Sequence, residues 1–66
     1  MKLNINGKAW ELEKSLNLID LIEHFQLKVD QVVVELNQTV PDKKQYAQVF
    51  VKEGDKIELI KFLGGG

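Results

Sequence analysis

Gly64-Gly65-Gly66 and the α-carboxylate behind them are the one place in this sequence where residue type and position together suggest chemistry. Glycine has the most backbone freedom to lose on folding, so a run of it anchors a chain end poorly. It does suit a tether that must bring its own backbone close to another molecule. With no Cβ, such a tail passes a slot too narrow for any side chain. Three extended residues reach about 10 Å, enough to enter a partner's pocket. Gly66 is expected to be the working group, presenting its carboxylate to another protein's active site. The plain alternative is a frayed end or an artificial scar, and the tail alone favours it.

Other reactive groups are sparse. His24 is the single histidine and falls with Asn17 and Asp20 on the polar side of a helix. Cysteine is absent, which excludes a disulfide framework, a thiolate metal site and a cysteine nucleophile. The carboxylates are dispersed: Glu11 and Glu13 off a hairpin, Asp20 and Glu23 along a helix flank, Glu53 and Asp55 about a turn. Acid–base work needs a shielded pair, so these read as solvated surface. Gly54 stands alone, and Lys43-Lys44 is too short a basic run to mean more than solubility. The inventory supports no active site, bound cofactor or metal.

Sixty-six residues make one small domain, with residues 1–63 folded and 64–66 a flexible tail. A chain of this size hides only ~60% of the surface its unfolded form exposes, so its stability is marginal. A net charge of −1 leaves no footprint for nucleic acid. No leader peptide or membrane-length apolar run is visible, so a cytoplasmic location and a free monomer are expected.

The elements follow from pattern. Asn6-Gly7 predicts a type I′ hairpin turn, which places Ile5 opposite Lys8, Leu3 opposite Trp10 and Met1 opposite Leu12. The large apolar side chains then share one face, Trp10 among them as a core residue. Leu18, Leu21, Ile22 and Phe25 form a helical stripe that ends by Leu27, with Asn17 as N-cap and Lys28 near the negative end. Val32 to Leu36 is a strand with Val32, Val34 and Leu36 inward, and Asn37-Gln38 turns it. Pro41 ends the ladder and opens a helical turn over residues 42–45. Val49-Phe50-Val51 is a short strand, Glu53-Gly54-Asp55 a turn, and Lys56 to Phe62 the last strand. One helix must cover one face of a mixed sheet of four to five strands, an α+β arrangement of the β-grasp kind. The last strand pairs with the first at the sheet centre.

Strict alternation along that last strand leaves a residue of apolar surface. With Ile57 and Leu59 inward, Ile60 and Phe62 face outward just before the glycines, and Val33 on the neighbouring strand joins them. A contiguous patch of this kind marks a partner site, and Leu63 extends it. Imperfect alternation, or cover from the loop after Pro41, is the competing account.

The hairpin opening, Val32-Val33-Val34-Glu35-Leu36-Asn37-Gln38 with Val40-Pro41, Glu53 to Ile60, and Phe62-Leu63-Gly64-Gly65-Gly66 together resemble the ThiS family of ubiquitin-like β-grasp proteins. The resemblance spans the whole chain and rests on co-occurrence, since no single motif is specific. It implies a sulfur carrier for the thiazole of thiamine. A ThiF-like, E1-like adenylating enzyme would activate the Gly66 carboxylate with ATP and magnesium, and sulfur from a cysteine desulfurase persulfide would replace AMP. A ThiG-like thiazole synthase would take sulfur from the resulting thiocarboxylate. Gly66 would carry adenylate and thiocarboxylate, Gly64 and Gly65 would thread the channel, and Val33, Ile60, Phe62 and Leu63 would meet the partner. A third glycine stands where other members of that family can carry a different small residue. Alternatives on the same fold are a MoaD-like carrier for molybdopterin, a ubiquitin-like modifier of lysines, and a binding module with an idle tail.

Overall fold

The computed structural model describes residues 1–62. Strands β1 (Lys2–Ile5) and β2 (Lys8–Glu11) form the opening hairpin, followed by helix α1 (Leu18–His24), β3 (Val32–Leu36) and β4 (Lys56–Lys61). Two 3₁₀ helices, Val29–Gln31 and Lys43–Gln48, flank β3. The sheet order is β2-β1-β4-β3, with β1 and β4 parallel and the outer pairs antiparallel. The first and last strands meet at the centre, as the β-grasp reading requires.

The hairpin register is set by its turn. Asn6 and Gly7 both have positive φ, 53° and 81°, which makes the turn twist with the strands. Ile5 faces Lys8 and Leu3 faces Trp10, as expected. Asn6 then ties the turn to the central strand: its N–H donates to the Ile57 carbonyl (2.9 Å) and its Oδ1 accepts from the Leu59 N–H (2.8 Å).

Asn17 caps α1, its Oδ1 accepting from the Asp20 N–H at 2.7 Å. Leu18, Leu21 and Ile22 are fully buried. The helix ends a turn earlier than the apolar stripe. Gln26 takes a φ of 61°, Gln26 N–H donates to the Glu23 carbonyl (2.9 Å) and Leu27 N–H reaches the Ile22 carbonyl (3.2 Å). These two bonds are the Schellman closure, here with glutamine where glycine usually sits. Leu27 folds back over the helix end instead of extending it, and Lys28 caps the following 3₁₀ turn, outside the last helical turn.

Two expected core positions lie at the margin. Phe25 is the C-cap residue and only half-buried, so the ~3–5 kcal/mol of a fully buried Phe→Ala change does not apply there. Trp10 is 36% exposed, because β2 is the sheet edge and all four of its residues are exposed. The two rings pack edge to face at 4.9 Å. Tyr46, on the second 3₁₀ helix, fills the core in their place and is 1% exposed. Its hydroxyl accepts from the Val34 N–H at 3.1 Å, giving the edge strand β3 a partner on its open side.

The segment Val49-Phe50-Val51 is not a sheet strand. It runs beside the approach to α1, with Leu18 N–H donating to the Val49 carbonyl and Val51 N–H to the Leu16 carbonyl, both at 3.0 Å. The detour after Pro41 carries it past the helix N-terminus, where the backbone of residues 16–18 offers the nearest partners. Asp55 is likewise not a solvated turn residue. It is 6% exposed, and its two oxygens accept from the Lys52 N–H (2.7 Å) and the Asn37 side-chain amide (3.0 Å). Asn37 and Gln38, both at positive φ, form the turn after β3. No helix among the described residues is long and apolar enough to cross a membrane.

Candidate functional site: the open sheet face and the end of β4

Helix α1 covers one face of the sheet, and side chains alternating outward from β3 and β4 lie on the face opposite the helix. On β4, Ile57 and Leu59 are buried while Glu58 and Ile60 point out. On β3, Val32 and Val34 are buried and Val33 lies between them on the other side. The antiparallel register sets Val33 directly opposite Ile60, and Glu35 opposite Glu58. Ile60 is 48% exposed. The expected pairing of Val33 with Ile60 on the open face is therefore formed.

Phe62 continues the line. Its N–H donates to the Gln31 carbonyl at 3.1 Å, one step beyond the last ladder pair, Val32 with Lys61. Its ring is half-buried, and the Lys43 ammonium lies 5.3 Å from the ring centroid. Lys43, read from sequence as a solubilising charge, thus has a specific aromatic neighbour. Leu63 and the expected working residues Gly64, Gly65 and Gly66 lie outside the described residues.

The acidic pair beside the apolar pair was not visible before strand register was known. Like charges directly opposite across a ladder repel. The Glu35 carboxyl is held above the ordinary carboxylate range, first because it can donate a hydrogen bond to Glu58 and then because the ionised form is repelled by it. Lys56 pulls in the opposite direction with the smallest effect. A raised carboxyl pKa means the folded chain binds that proton more readily than the unfolded one. This pair therefore favours folding at low pH, and that contribution is lost as pH rises through the Glu35 titration. Glu58→Gln should return Glu35 to the ordinary range, measurable by carboxyl carbon NMR titration. An unchanged Glu35 midpoint in that variant would show that the two side chains do not interact.

His24 is exposed, its ring edge-on to Phe25 at 5.3 Å. With Leu12, Glu13, Lys14 and Leu16 it lines a shallow, mostly apolar depression of about 180 Å³. Among the described residues no group of three or more His, Cys, Asp or Glu side chains is arranged to hold a metal ion.

The ThiS family model matches residues 3–66. The sulfur carrier protein ThiS of Bacillus subtilis is 37% identical over 65 residues, covering 97% of this chain and 98% of that protein. A thiazole synthase of Paramagnetospirillum magneticum is 39% identical over 66 residues; the chain is covered in full but spans only 20% of that protein. The crystal structure of the thiamine biosynthesis protein ThiS from Geobacter metallireducens superposes with a TM-score of 0.85 at 35% identity, with both chains fully covered. The chain belongs to the ThiS family, the sulfur carrier proteins of thiamine biosynthesis.

Proposed function

We propose that this carrier bears its sulfur as a thiocarboxylate on Gly66. The observation that carries the proposal is the reach of the family match through residue 66, which takes in the glycine run. A carboxylate is a poor electrophile. A ThiF-like enzyme using ATP and magnesium would join it to AMP with loss of pyrophosphate, which turns one carboxylate oxygen into part of a leaving group. The terminal sulfur of a cysteine desulfurase persulfide attacks the acyl carbon and AMP departs. Cleavage of the resulting disulfide by a thiol leaves the thiocarboxylate, a polarisable sulfur nucleophile on a protein handle. The chain itself catalyses none of these steps; it is the co-substrate.

The receiving partner is a ThiG-like thiazole synthase. Support comes from the Paramagnetospirillum magneticum protein of that name, which contains a segment similar to this entire chain. The test is to supply a ThiF-like enzyme, ATP, magnesium, a cysteine desulfurase, cysteine and a thiol. Intact mass should rise by the difference between sulfur and oxygen, located on Gly66 by fragmentation. A chain that stays at its native mass would refute the reading.

Val33, Ile60, Phe62 and Leu63 form the docking patch for the adenylating enzyme. Phe62→Asp places a charge in that patch and should lower kcat/KM for activation more than tenfold, since an aromatic anchor of an interface is worth ~2 kcal/mol. The free fold should survive, as Phe62 is only half-buried and follows the last ladder pair. Unchanged activation kinetics would remove the patch from the interface.

A further inference from the structure

Phe62 is the last described residue before Leu63, and it is held at two points. Its backbone is tied to β3 through the Gln31 carbonyl at 3.1 Å. Its ring lies under the Lys43 ammonium at 5.3 Å. Lys43 opens the 3₁₀ helix Lys43–Gln48, whose start is fixed by the Asp42 carboxylate accepting from the Lys44 N–H at 2.9 Å. That helix is anchored in the core by Tyr46. The lysine thus projects from a rigid base onto the end of the last strand. A cation within about 6 Å of a ring centroid is attracted by the ring's negative face.

We propose that Lys43 is a positioning residue for activation: it clamps the Phe62 ring and so presents that ring to the adenylating enzyme in one orientation. The inference rests on the carrier reading above. A docking side chain held before binding loses less conformational entropy on docking, which lowers KM without altering the chemical step. The opposite account is that Lys43 merely masks Phe62 from the partner. The two differ in sign: removing a mask lowers KM, and removing a clamp raises it.

The test uses pyrophosphate release by a ThiF-like enzyme with intact carriers. Lys43→Gln should raise KM for the carrier roughly two- to fivefold, the range expected of an exposed cation–π contact, with kcat little changed. Lys43→Arg, which keeps the cation, should restore the native KM. In a Phe62→Leu background, Lys43→Gln should have no further effect, because the clamp has lost its ring. An unchanged or lowered KM in Lys43→Gln, or the full effect persisting in the Phe62→Leu background, overturns the proposal. In the free carrier, the Lys43 methylene protons should show an upfield ring-current shift that disappears in Phe62→Leu. That signal reports the contact without any activity. Absence of the shift would defeat the clamp while leaving the carrier reading intact, whereas a native chain that gains no sulfur would defeat the carrier reading.

Discussion

A chain with one residue added after Gly66 should acquire no sulfur at all. The proposed activation would join the terminal carboxylate to the α-phosphorus of ATP, with both held in the partner's site. An added residue displaces the carboxylate by about 3.3–3.6 Å along an extended tail. A reacting pair must approach within about 3–3.5 Å in line, so a shift of that size removes the productive geometry altogether. Gly65→Val should fail for a different reason. Its branched Cβ would both widen the chain at the proposed channel and restrict the backbone angles available there. Gly64→Ala adds one methyl group nearer the folded domain and should be tolerated better. The readout is intact mass after reaction, with the native chain as the positive control. If the extended chain gained sulfur as readily as the native one, Gly66 would not be the working group, and the patch around Ile60 would have no tail to serve.

How much of this was legible in the residues depends on how local each determinant is. The hairpin was readable because turn chemistry and the period of two agree over a few residues, Asn6-Gly7 setting the register that Leu3 and Ile5 need. Helix α1 was readable from its stripe and from Asn17. Its end was not, because Gln26 enters the left-handed region only through the paired bonds to Glu23 and Ile22, and glutamine carries no signal for that conformation. Val49-Phe50-Val51 has the composition of a strand, yet its partners are the residues leading into the helix, a choice made by where Pro41 sends the chain. Asp55 was read as solvated because nothing nearby in sequence announces that Asn37 will reach its carboxylate.

The candidate site divides along the same line. That Ile60 and Phe62 face outward follows from alternation within one strand and was legible. That Val33 stands opposite Ile60, that Glu35 faces Glu58, and that Lys43 reaches the Phe62 ring all require the pairing of segments distant in sequence. The open face is therefore a product of the fold, while the glycine run is read from composition alone.

Tyr46 makes the same dependence measurable, through a pair of substitutions that separate packing from hydrogen bonding. Tyr46→Phe keeps the ring and deletes the hydroxyl that accepts from the Val34 N–H at 3.1 Å. The amide is left unpaired in the interior, which should cost ~1–3 kcal/mol. Tyr46→Ala also removes the ring and opens a cavity, and truncating a buried aromatic costs ~3–5 kcal/mol. At ~0.05–0.15 kcal/mol per residue, 66 residues hold ~3–10 kcal/mol in total, so the alanine variant should lose a third or more of the stability and unfold at a far lower urea concentration. Urea titration should show a lowered midpoint for Tyr46→Phe with an unchanged slope, the sign of lost stability without a changed denatured state. Hydrogen exchange should then accelerate at the Val34 amide beyond the global change. Val33, its neighbour, is one half of the proposed docking pair, so loosening this edge of β3 should also weaken activation by the adenylating enzyme, less than Phe62→Asp does. A phenylalanine variant with native stability and native protection at Val34 would show that Tyr46 contributes its ring alone, and that the edge of β3 needs no hydroxyl to stay in register.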